Sequence, residues 1–412
     1  MRGAGADHAN ARAAVIDVIR AAGTISRTEI VNTTRLTPGT VSGEVRRLLD
    51  EGLVVEVGRA PSTGGKPRRL LELVASSRFA VGIHLDHDGV TYALADLGGA
   101  IVARRRVDGV GEAEPDDVIR AMAREAAGIV EDAQVDPARV LGLGVVSPGP
   151  LVAATGMVMS RPSLHRWVDY PLAARLEAAS GLPVVVDNDA TAAAVGEHWT
   201  RASEPSAAFS ALYMATGIGS GTIVDGVPYR GASSNTGEIG HVCVAVSGPM
   251  CWCGNRGCVE AVAGPASVVA AARAAGVDVG AREGVETLER GAGLLRAFGR
   301  VVDAAHAGDA RARAIFADSA RYVAVAAQTL CSMMDVDLVV LTGPAFALAG
   351  ELYLPVVQER VSRAVVAHGH GVRVRVSAHA NQAAAVGAAA LVLQSELVPR
   401  RFGVRLLVGA ER

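Results

Sequence analysis

A histidine and three cysteines, close together in the second half of the chain, constrain its fold more than any other feature. They are His241, Cys251, Cys253 and Cys258, in a sequence of 412 residues that contains only five cysteines. One imidazole and three thiolates form the four-ligand tetrahedral set of a closed structural zinc site. The alternative is a group of unpaired buried cysteines, which are common individually. Three cysteines within eight residues, beside glycines that allow tight turns, favour structural Zn²⁺.

The cysteine count also bears on the compartment. Five cysteines, three of them crowded together, are not the evenly spread set of a disulfide framework. The first ten residues lack the apolar core of a secretory signal. The longest weakly polar run, residues 323–334, is shorter than the roughly 18 residues that a membrane span needs. We therefore expect a cytoplasmic protein with no membrane partner.

Length and charge indicate several domains with different partners. A chain of 412 residues is too long for one ordinary core, and its 50% apolar content excludes a disordered or collagen-like chain. Residues 1–75 contain 11 basic and 8 acidic residues, a net charge of +3, which leaves −5 for the remainder of a chain whose total is −2. A basic bias confined to the first 75 residues is compatible with a nucleic-acid-binding domain there.

Local signals divide this amino-terminal part into three helices. Ser26 and Glu29 form a capping box that begins the second helix. Thr37, followed by proline, begins the third helix, and Gly52 ends it. Within the third helix, apolar residues recur at helical spacing, which predicts one buried face.

A hairpin follows the three helices. Residues 53–57 and 70–74 have strand-like composition and enclose a turn rich in glycine, serine and proline. This order predicts a winged helix-turn-helix DNA-binding domain over residues 1–75. The alternative is a small helical cap with a solvated basic hairpin.

For DNA binding, we expect the third helix to enter a major groove and the hairpin to approach phosphates or a minor groove. On the third helix, Thr40, Gly43, Glu44 and Arg47 are expected to face outward. The candidate DNA contacts are Thr37, Thr40, Ser42, Gly43, Arg46, Arg47, Lys66, Arg68 and Arg69. Two-fold symmetry in a protein is mirrored in DNA half-sites, so we expect a homodimer or higher homo-oligomer on a palindromic operator.

Beyond residue 78 the chain alternates between strand-like and helix-like stretches. Two successive rounds of this alternation predict an α/β domain with two lobes and a cleft between them. We place the lobes at residues 78–200 and 201–395, with the last helix returning to the first lobe. Residues 396–412 form a tail.

Residues 236–241 (TGEIGH) and 251–260 (CWCGNRGCVE) closely resemble the signature of the ROK family of repressors, open reading frames and sugar kinases. Further similar segments follow the family's order, at residues 142–150, 188–190, 216–221, 341–344 and 383–389. The resemblance covers residues 78–395, and the arrangement of the first domain is similar to that of the family's repressor branch.

The resemblance implies an actin-like, hexokinase-type fold in which zinc orders a sugar-binding loop. It assigns sugar contacts to Asn188, Asp189, Glu238, His241 and Glu260, whose carboxylates and amide suit hydroxyl groups. His241 would bind zinc through one nitrogen and the sugar through the other. From the residues alone, the alternative for the segment around Asn188 is a turn that caps the next helix.

The resemblance also raises the question of kinase activity. Asp189 matches the general base of the family's kinases, and the match to their second phosphate loop comprises Thr216, Gly217, Gly219 and Gly221. The kinases' first loop, Asp-x-Gly-Gly-Thr, is replaced here by residues 84–90 (HLDHDGV), which lack paired glycines and place carboxylates where polyphosphate would sit.

We therefore expect a DNA-binding transcriptional regulator, a repressor of carbohydrate-metabolism genes, that responds to a sugar or sugar phosphate. The alternative is an ATP-dependent sugar kinase with an appended DNA-binding domain, for which ATP and Mg²⁺ would be the cofactors. The sequence leaves the question of enzymatic activity open.

Overall fold

The structure is a computed structural model. It describes residues 4–59, 68–86, 89–109, 113–149, 166–167, 170–200, 208–280, 293–365 and 367–397. The predicted DNA contact Lys66, residues 87–88 of the altered phosphate loop and the predicted tail beyond residue 397 lie outside the described residues.

The amino-terminal unit packs three helices against a small antiparallel sheet. The helices are α1 (Ala4–Ala22), α2 (Arg27–Thr34) and α3 (Pro38–Asp50), and the strands are β1 (Thr24–Ser26), β2 (Val54–Arg59) and β3 (Arg69–Leu73), in the order β1-β3-β2. The sequence did not predict β1, because a strand of three residues is too short to show an alternating pattern.

The predicted helix starts are confirmed. The Ser26 hydroxyl accepts from the backbone N–H of Glu29, whose carboxylate accepts from the N–H of Ser26 at 2.8 Å. At α3, the Thr37 hydroxyl accepts from the N–H of Thr40 at 3.2 Å. Each cap satisfies backbone donors that the first helical turn would otherwise leave unpaired.

The prediction that Glu44 faces outward is wrong. Glu44 is only 2% exposed, and its carboxylate accepts from Arg47 Nη1 at 2.7 Å. The reason is helical geometry: Glu44 lies three residues after Val41 and four before Leu48, so it shares the buried face of α3 with them.

The first of two larger sheets has five strands. They are β4 (Phe79–Leu85), β5 (Gly89–Asp96), β6 (Ile101–Asp108), β7 (Val140–Ser147) and β8 (Val184–Asn188), in the order β6-β5-β4-β7-β8. Strands β4, β5 and β6 are antiparallel, whereas β4, β7 and β8 are parallel. The helices of this lobe are α4 (Pro115–Asp132), α5 (Leu172–Ser180) and α6 (Asp189–Thr200).

The second sheet repeats the same arrangement. Its strands are β9 (Ala208–Met214), β10 (Ile218–Val224), β11 (Val227–Pro228), β12 (Leu338–Thr342) and β13 (Arg373–Val376), in the order β11-β10-β9-β12-β13. Three are again antiparallel, and β9, β12 and β13 are parallel. The helices that follow are α7 (Val259–Ala263), α8 (Pro265–Ala274), α9 (Leu294–His306), α10 (Ala310–Met334), α11 (Pro344–Val361), α12 (Ala367–His370) and α13 (Ala383–Leu397). Two matching sheets with helices between strands confirm the predicted two-lobed α/β class.

The carboxy-terminal helix α13 packs on the first sheet and on α6. Contact is between backbones: a Cβ at Gly82 of β4 would lie 1.8 Å from the Ala385 carbonyl oxygen, and one at Gly387 would lie 1.7 Å from that of Ala192 in α6. Only glycine permits such close approach. Among the described residues, no helix combines the length and apolar character needed to cross a membrane.

Gly387→Ala is expected to destabilise the protein because the new methyl group would overlap the α6 backbone, which cannot yield as a flexible side chain can. Overpacking of this kind costs about 1–3 kcal/mol or more, measurable as a lower melting temperature. The matched control is Gly43→Ala in α3, where an added Cβ meets no atom of the described residues within 4 Å. That variant should melt no lower than the wild type, since alanine favours helix. Equal melting temperatures for all three proteins would contradict the proposed contact.

Candidate functional site

The structure brings the four predicted metal ligands together. The ligand atoms of His241, Cys251, Cys253 and Cys258 all lie within 4.8 Å of one another. His241 Nδ1 is 3.6 Å from Cys251 Sγ, and the sulfurs of Cys253 and Cys258 are 3.6 Å apart. Zinc–sulfur bonds of about 2.3 Å at tetrahedral angles place sulfurs roughly 3.8 Å apart. The donor set and its spacing therefore fit Zn²⁺.

Glycines shape the loop that carries the cysteines. Gly254 and Gly257 have φ of +89° and +66°, and a Cβ at Gly257 would lie 1.6 Å from the Ala245 carbonyl oxygen. Burial raises the pKa of the Cys258 thiol to about 12. A cation beside such a thiol favours the thiolate, so the loop is suited to a bound metal ion.

A cleft lies next to this cluster. Four of the five predicted effector contacts line it: Asn188, Asp189, Glu238 and His241. His241 faces both sites, since its Nδ1 is turned to Cys251 and its Nε2 is 3.9 Å from Glu238 Oε2. The imidazole ring of His241 therefore belongs both to the predicted metal cluster and to the lining of the cleft.

Glu260, the fifth predicted contact, accepts hydrogen bonds from two residues that line the cleft. Its carboxylate accepts from Trp252 Nε1 at 2.7 Å and from the backbone N–H of Ile218 at 2.8 Å. Trp252 packs edge-to-face on His241, with ring centroids 4.8 Å apart. Trp252 was not among the residues predicted to form the site, although its position between two of the cysteines is a signal for it.

Asn188 and Asp189 stand where β8 meets α6. The Asn188 side-chain oxygen accepts from the N–H groups of Ala190 and Thr191, at 2.9 and 3.0 Å. Asn188 is therefore a helix cap, as the alternative interpretation required, and it also lines the cleft. Capping fixes the side chain in place, so the two roles are compatible.

The segment expected to be the second phosphate loop is mostly a strand. Thr216, Gly217 and Gly219 line the cleft, but Gly219 and Gly221 belong to β10 rather than to a loop. A Cβ at Gly221 would lie 2.5 Å from the Ala190 carbonyl oxygen. This glycine lets β10 approach α6, a packing role that the sequence match could not reveal.

The two lobes are joined beside the cleft by an ion pair that the sequence analysis did not find. Arg230, which follows β11, donates to both carboxylate oxygens of Asp187 in β8, at 3.0 and 2.6 Å. Both side chains are largely buried, and the Asp187 carboxylate raises the pKa of Arg230 against the opposing effect of burial. A bidentate pair of this kind fixes the relative orientation of its two elements.

The predicted DNA contacts within the described residues lie on α3 and the hairpin. Ser42, Gly43, Arg46 and Arg47 are exposed along α3. Thr37 is exposed and Thr40 is half-buried at the start of that helix, while Arg68 and Arg69 are exposed on the hairpin. Arg69 donates to Glu56, and Arg47 to Glu44, so both would have to share or exchange partners on binding phosphate.

A second unforeseen contact joins the amino-terminal unit to the first lobe. Arg20 of α1 is 8% exposed, donates to the carbonyl oxygen of Trp199 and lies with its guanidinium carbon 4.4 Å from the Trp199 ring centre. Burial lowers the pKa of Arg20. Trp199 is in the last turn of α6, where carbonyl groups favour a cation.

This chain is similar to known proteins over most of its length. The family model of the ROK family matches residues 80–395. The xylose repressor of Caldicellulosiruptor bescii is 28% identical over 377 residues, covering 90% of this chain and 92% of that protein. The DNA-binding transcriptional dual regulator NagC of Escherichia coli is 30% identical over 258 residues, covering 62% of this chain and 63% of NagC.

Two solved structures of ROK family proteins are also similar to this chain. The ROK hexokinase of Thermus thermophilus is 28% identical, with a TM-score of 0.61 over 77% of this chain and 98% of that one. A ROK family transcriptional regulator, a homologue of the E. coli MLC protein, shares the fold over 95% of this chain and 98% of that one, with a TM-score of 0.71 and 23% identity. With its signature loop, its repeated sheets and a family match across most of its length, the chain belongs to the ROK family.

Proposed function

We propose that this protein is a sugar-responsive, DNA-binding transcriptional regulator that represses carbohydrate-metabolism genes. Residues 1–75 would form the DNA-binding domain, and residues 78–200 and 201–395 the two lobes that bind the sugar effector. The similarity to proteins named as xylose repressor and as a transcriptional regulator supports this function. The altered residues 84–90 give the kinase alternative less support.

One observation carries the proposal: helix α6 connects the cleft to the amino-terminal unit. Its first turn presents Asp189 to the cleft, and its last turn offers the Trp199 carbonyl group to Arg20 of α1. A helix of 12 residues spans about 18 Å. A sugar held at one end of α6 is therefore linked by one rigid element to the winged helix at the other.

Close packing prevents α6 from moving alone. Gly196 and Gly387 bring its backbone against α13, and Gly221 brings it against β10 of the second lobe. Closure of the lobes on a sugar would displace α6 together with these neighbours and change the position of α1. A ligand shifts such an equilibrium only by the difference in its affinity for the two states, so sugar and operator DNA should favour different positions of α6.

Replacing Arg20 should uncouple sugar binding from DNA binding. In Arg20→Met, the apolar stem remains but the guanidinium that holds Trp199 is lost. We expect the ratio of operator Kd values with and without sugar to fall toward one, while sugar still binds; titrations by fluorescence anisotropy measure both. The matched control is Arg12→Met, because Arg12 lies on the same helix but pairs with Glu51 of the amino-terminal unit. An unchanged ratio in Arg20→Met would remove α6 as the connection.

Zinc is the second part of the proposal, with His241, Cys251, Cys253 and Cys258 as its ligands. Cys253→Ser should release the metal and weaken sugar binding, because the loop that positions His241 and Trp252 would lose its order. Metal analysis and a thermal-shift titration with sugars measure the two effects. Cys243→Ser is the control: Cys243 is exposed and lies outside the four-residue cluster. Full zinc content in Cys253→Ser would show that the assignment is wrong.

Operator binding by a homodimer is the third part. Arg47→Ala on α3 should weaken binding to a palindromic operator more than to unrelated DNA, since a base contact is worth about 1–3 kcal/mol of discrimination. Arg68→Ala on the hairpin should instead weaken binding to all sequences and reduce the salt dependence by about one phosphate contact. Band-shift assays at several salt concentrations, with sedimentation to establish the oligomer, separate the two effects. Equal losses on both DNAs for both variants would contradict these roles.

A further inference from the structure

Two buried polar atoms, one on a residue that lines the cleft and one on a residue in contact with that lining, have no hydrogen-bond partner in the described part of the chain. They are Nε2 of His84, on β4, and the hydroxyl of Tyr213, on β9. Their residues are 4% and 3% exposed. Tyr213 lines the cleft beside Asp189. Because a buried polar group without a partner is costly, such a pair points to a partner that the described residues do not supply.

Both atoms belong to one group of polar side chains, which we name the inner recess: His84, Asp86, Asp189 and Tyr213. His84 Nε2 lies 3.6 Å from Asp189 Oδ2, and the His84 and Tyr213 rings meet edge-to-face with centroids 6.2 Å apart. Asp86 is also buried. Burial raises the pKa of Tyr213 well above its usual value, and the carboxylates of Asp189 and Asp86 raise it further. The Tyr213 hydroxyl is therefore a hydrogen-bond donor at neutral pH.

The chemistry of the inner recess favours a hydroxyl group over a phosphate. A sugar hydroxyl can donate to Asp189 and, through its two lone pairs, accept from both Tyr213 and His84, which would satisfy both unpartnered atoms. A phosphate would face two buried carboxylates, and like charges in a poorly solvated site repel strongly. Among the described residues that line the cleft there is no arginine or lysine. Arg106, whose charge lowers the pKa of Tyr213, lies outside this lining and donates to Thr91 at 3.0 Å.

We propose that the inner recess binds one unsubstituted hydroxyl of the effector, with His84 and Tyr213 as specificity-determining residues. The effector is then a neutral sugar rather than its phosphate ester. This inference rests on the proposed function, since it narrows the class of sugar that the same cleft takes.

Calorimetric titration of the full-length protein tests the proposal with matched pairs of ligands: glucose and glucose 6-phosphate, xylose and xylose 5-phosphate, and N-acetylglucosamine and its 6-phosphate. The neutral member of the effective pair should bind at least about tenfold more tightly than its ester. Tyr213→Phe should weaken binding of the neutral sugar by about tenfold, the usual worth of one hydrogen bond to a ligand. Asp86→Asn should reduce the difference in affinity between the neutral sugar and its phosphate ester, because it removes one of the two carboxylate charges that repel the phosphate.

Tyr353→Phe is the matched control, because it removes another buried hydroxyl, bonded to Ser319 in the second lobe and outside the cleft lining. It should leave both affinities unchanged. Tighter binding of an ester, or wild-type affinity of Tyr213→Phe for the neutral sugar, would overturn the inference while leaving a sugar-binding regulator intact. If no member of any pair binds or alters operator affinity, the proposed function fails and the inference fails with it.

Discussion

The contact between the backbones of α6 and α13 is the constraint on which the rest of the structure depends. Gly196 and Gly387 remove the side chains that would keep these helices apart, so α6 is held on the carboxy-terminal helix and, through it, on the first sheet. That single placement fixes both ends of α6: Asn188 and Asp189 at the cleft, and Trp199 at the amino-terminal unit. Packed interiors are nearly incompressible. A displacement at one end of α6 must therefore reach its neighbours rather than be absorbed locally.

The opposite wall of the cleft is ordered in a different way. It comes from a loop with little regular structure, which carries the cluster of His241 and three cysteines and the hydrogen bond from Trp252 to Glu260. His241 belongs to both the cluster and the cleft. Loops of this kind have few apolar contacts of their own, so in the proposed zinc site the metal, together with such hydrogen bonds, would replace the packing that fixes α6.

The two sheets have equivalent strand order, and residues of both lobes line the cleft. The Asp187–Arg230 pair and the contact of Gly221 with α6 join the lobes next to the cleft. Where the resemblance implies the kinases' loop with paired glycines, this chain has His84 and Asp86; both are buried, and His84 Nε2 lies 3.6 Å from Asp189 Oδ2. In the proposed function, closure of the lobes on a sugar would need no phosphate site, because closure alone would shift the position of the attached amino-terminal unit.

Local sequence determined the features that depend on neighbouring residues: the caps at Ser26 and Thr37, the buried face of α3, the strand and helix periods, and the spacing of the four metal ligands. The same helical spacing also puts Glu44 on the buried face of α3, contrary to the prediction that it faces outward. Tertiary structure alone decided which distant groups meet. Arg20 and Trp199 are 179 residues apart in sequence, and Asp187 and Arg230 are 43 apart. No local pattern selects one partner among 40 basic and 42 acidic residues, because such pairs form only after the sheets and helices have packed. The unpartnered atoms of His84 and Tyr213 likewise become significant only when folding buries them beside the same carboxylate.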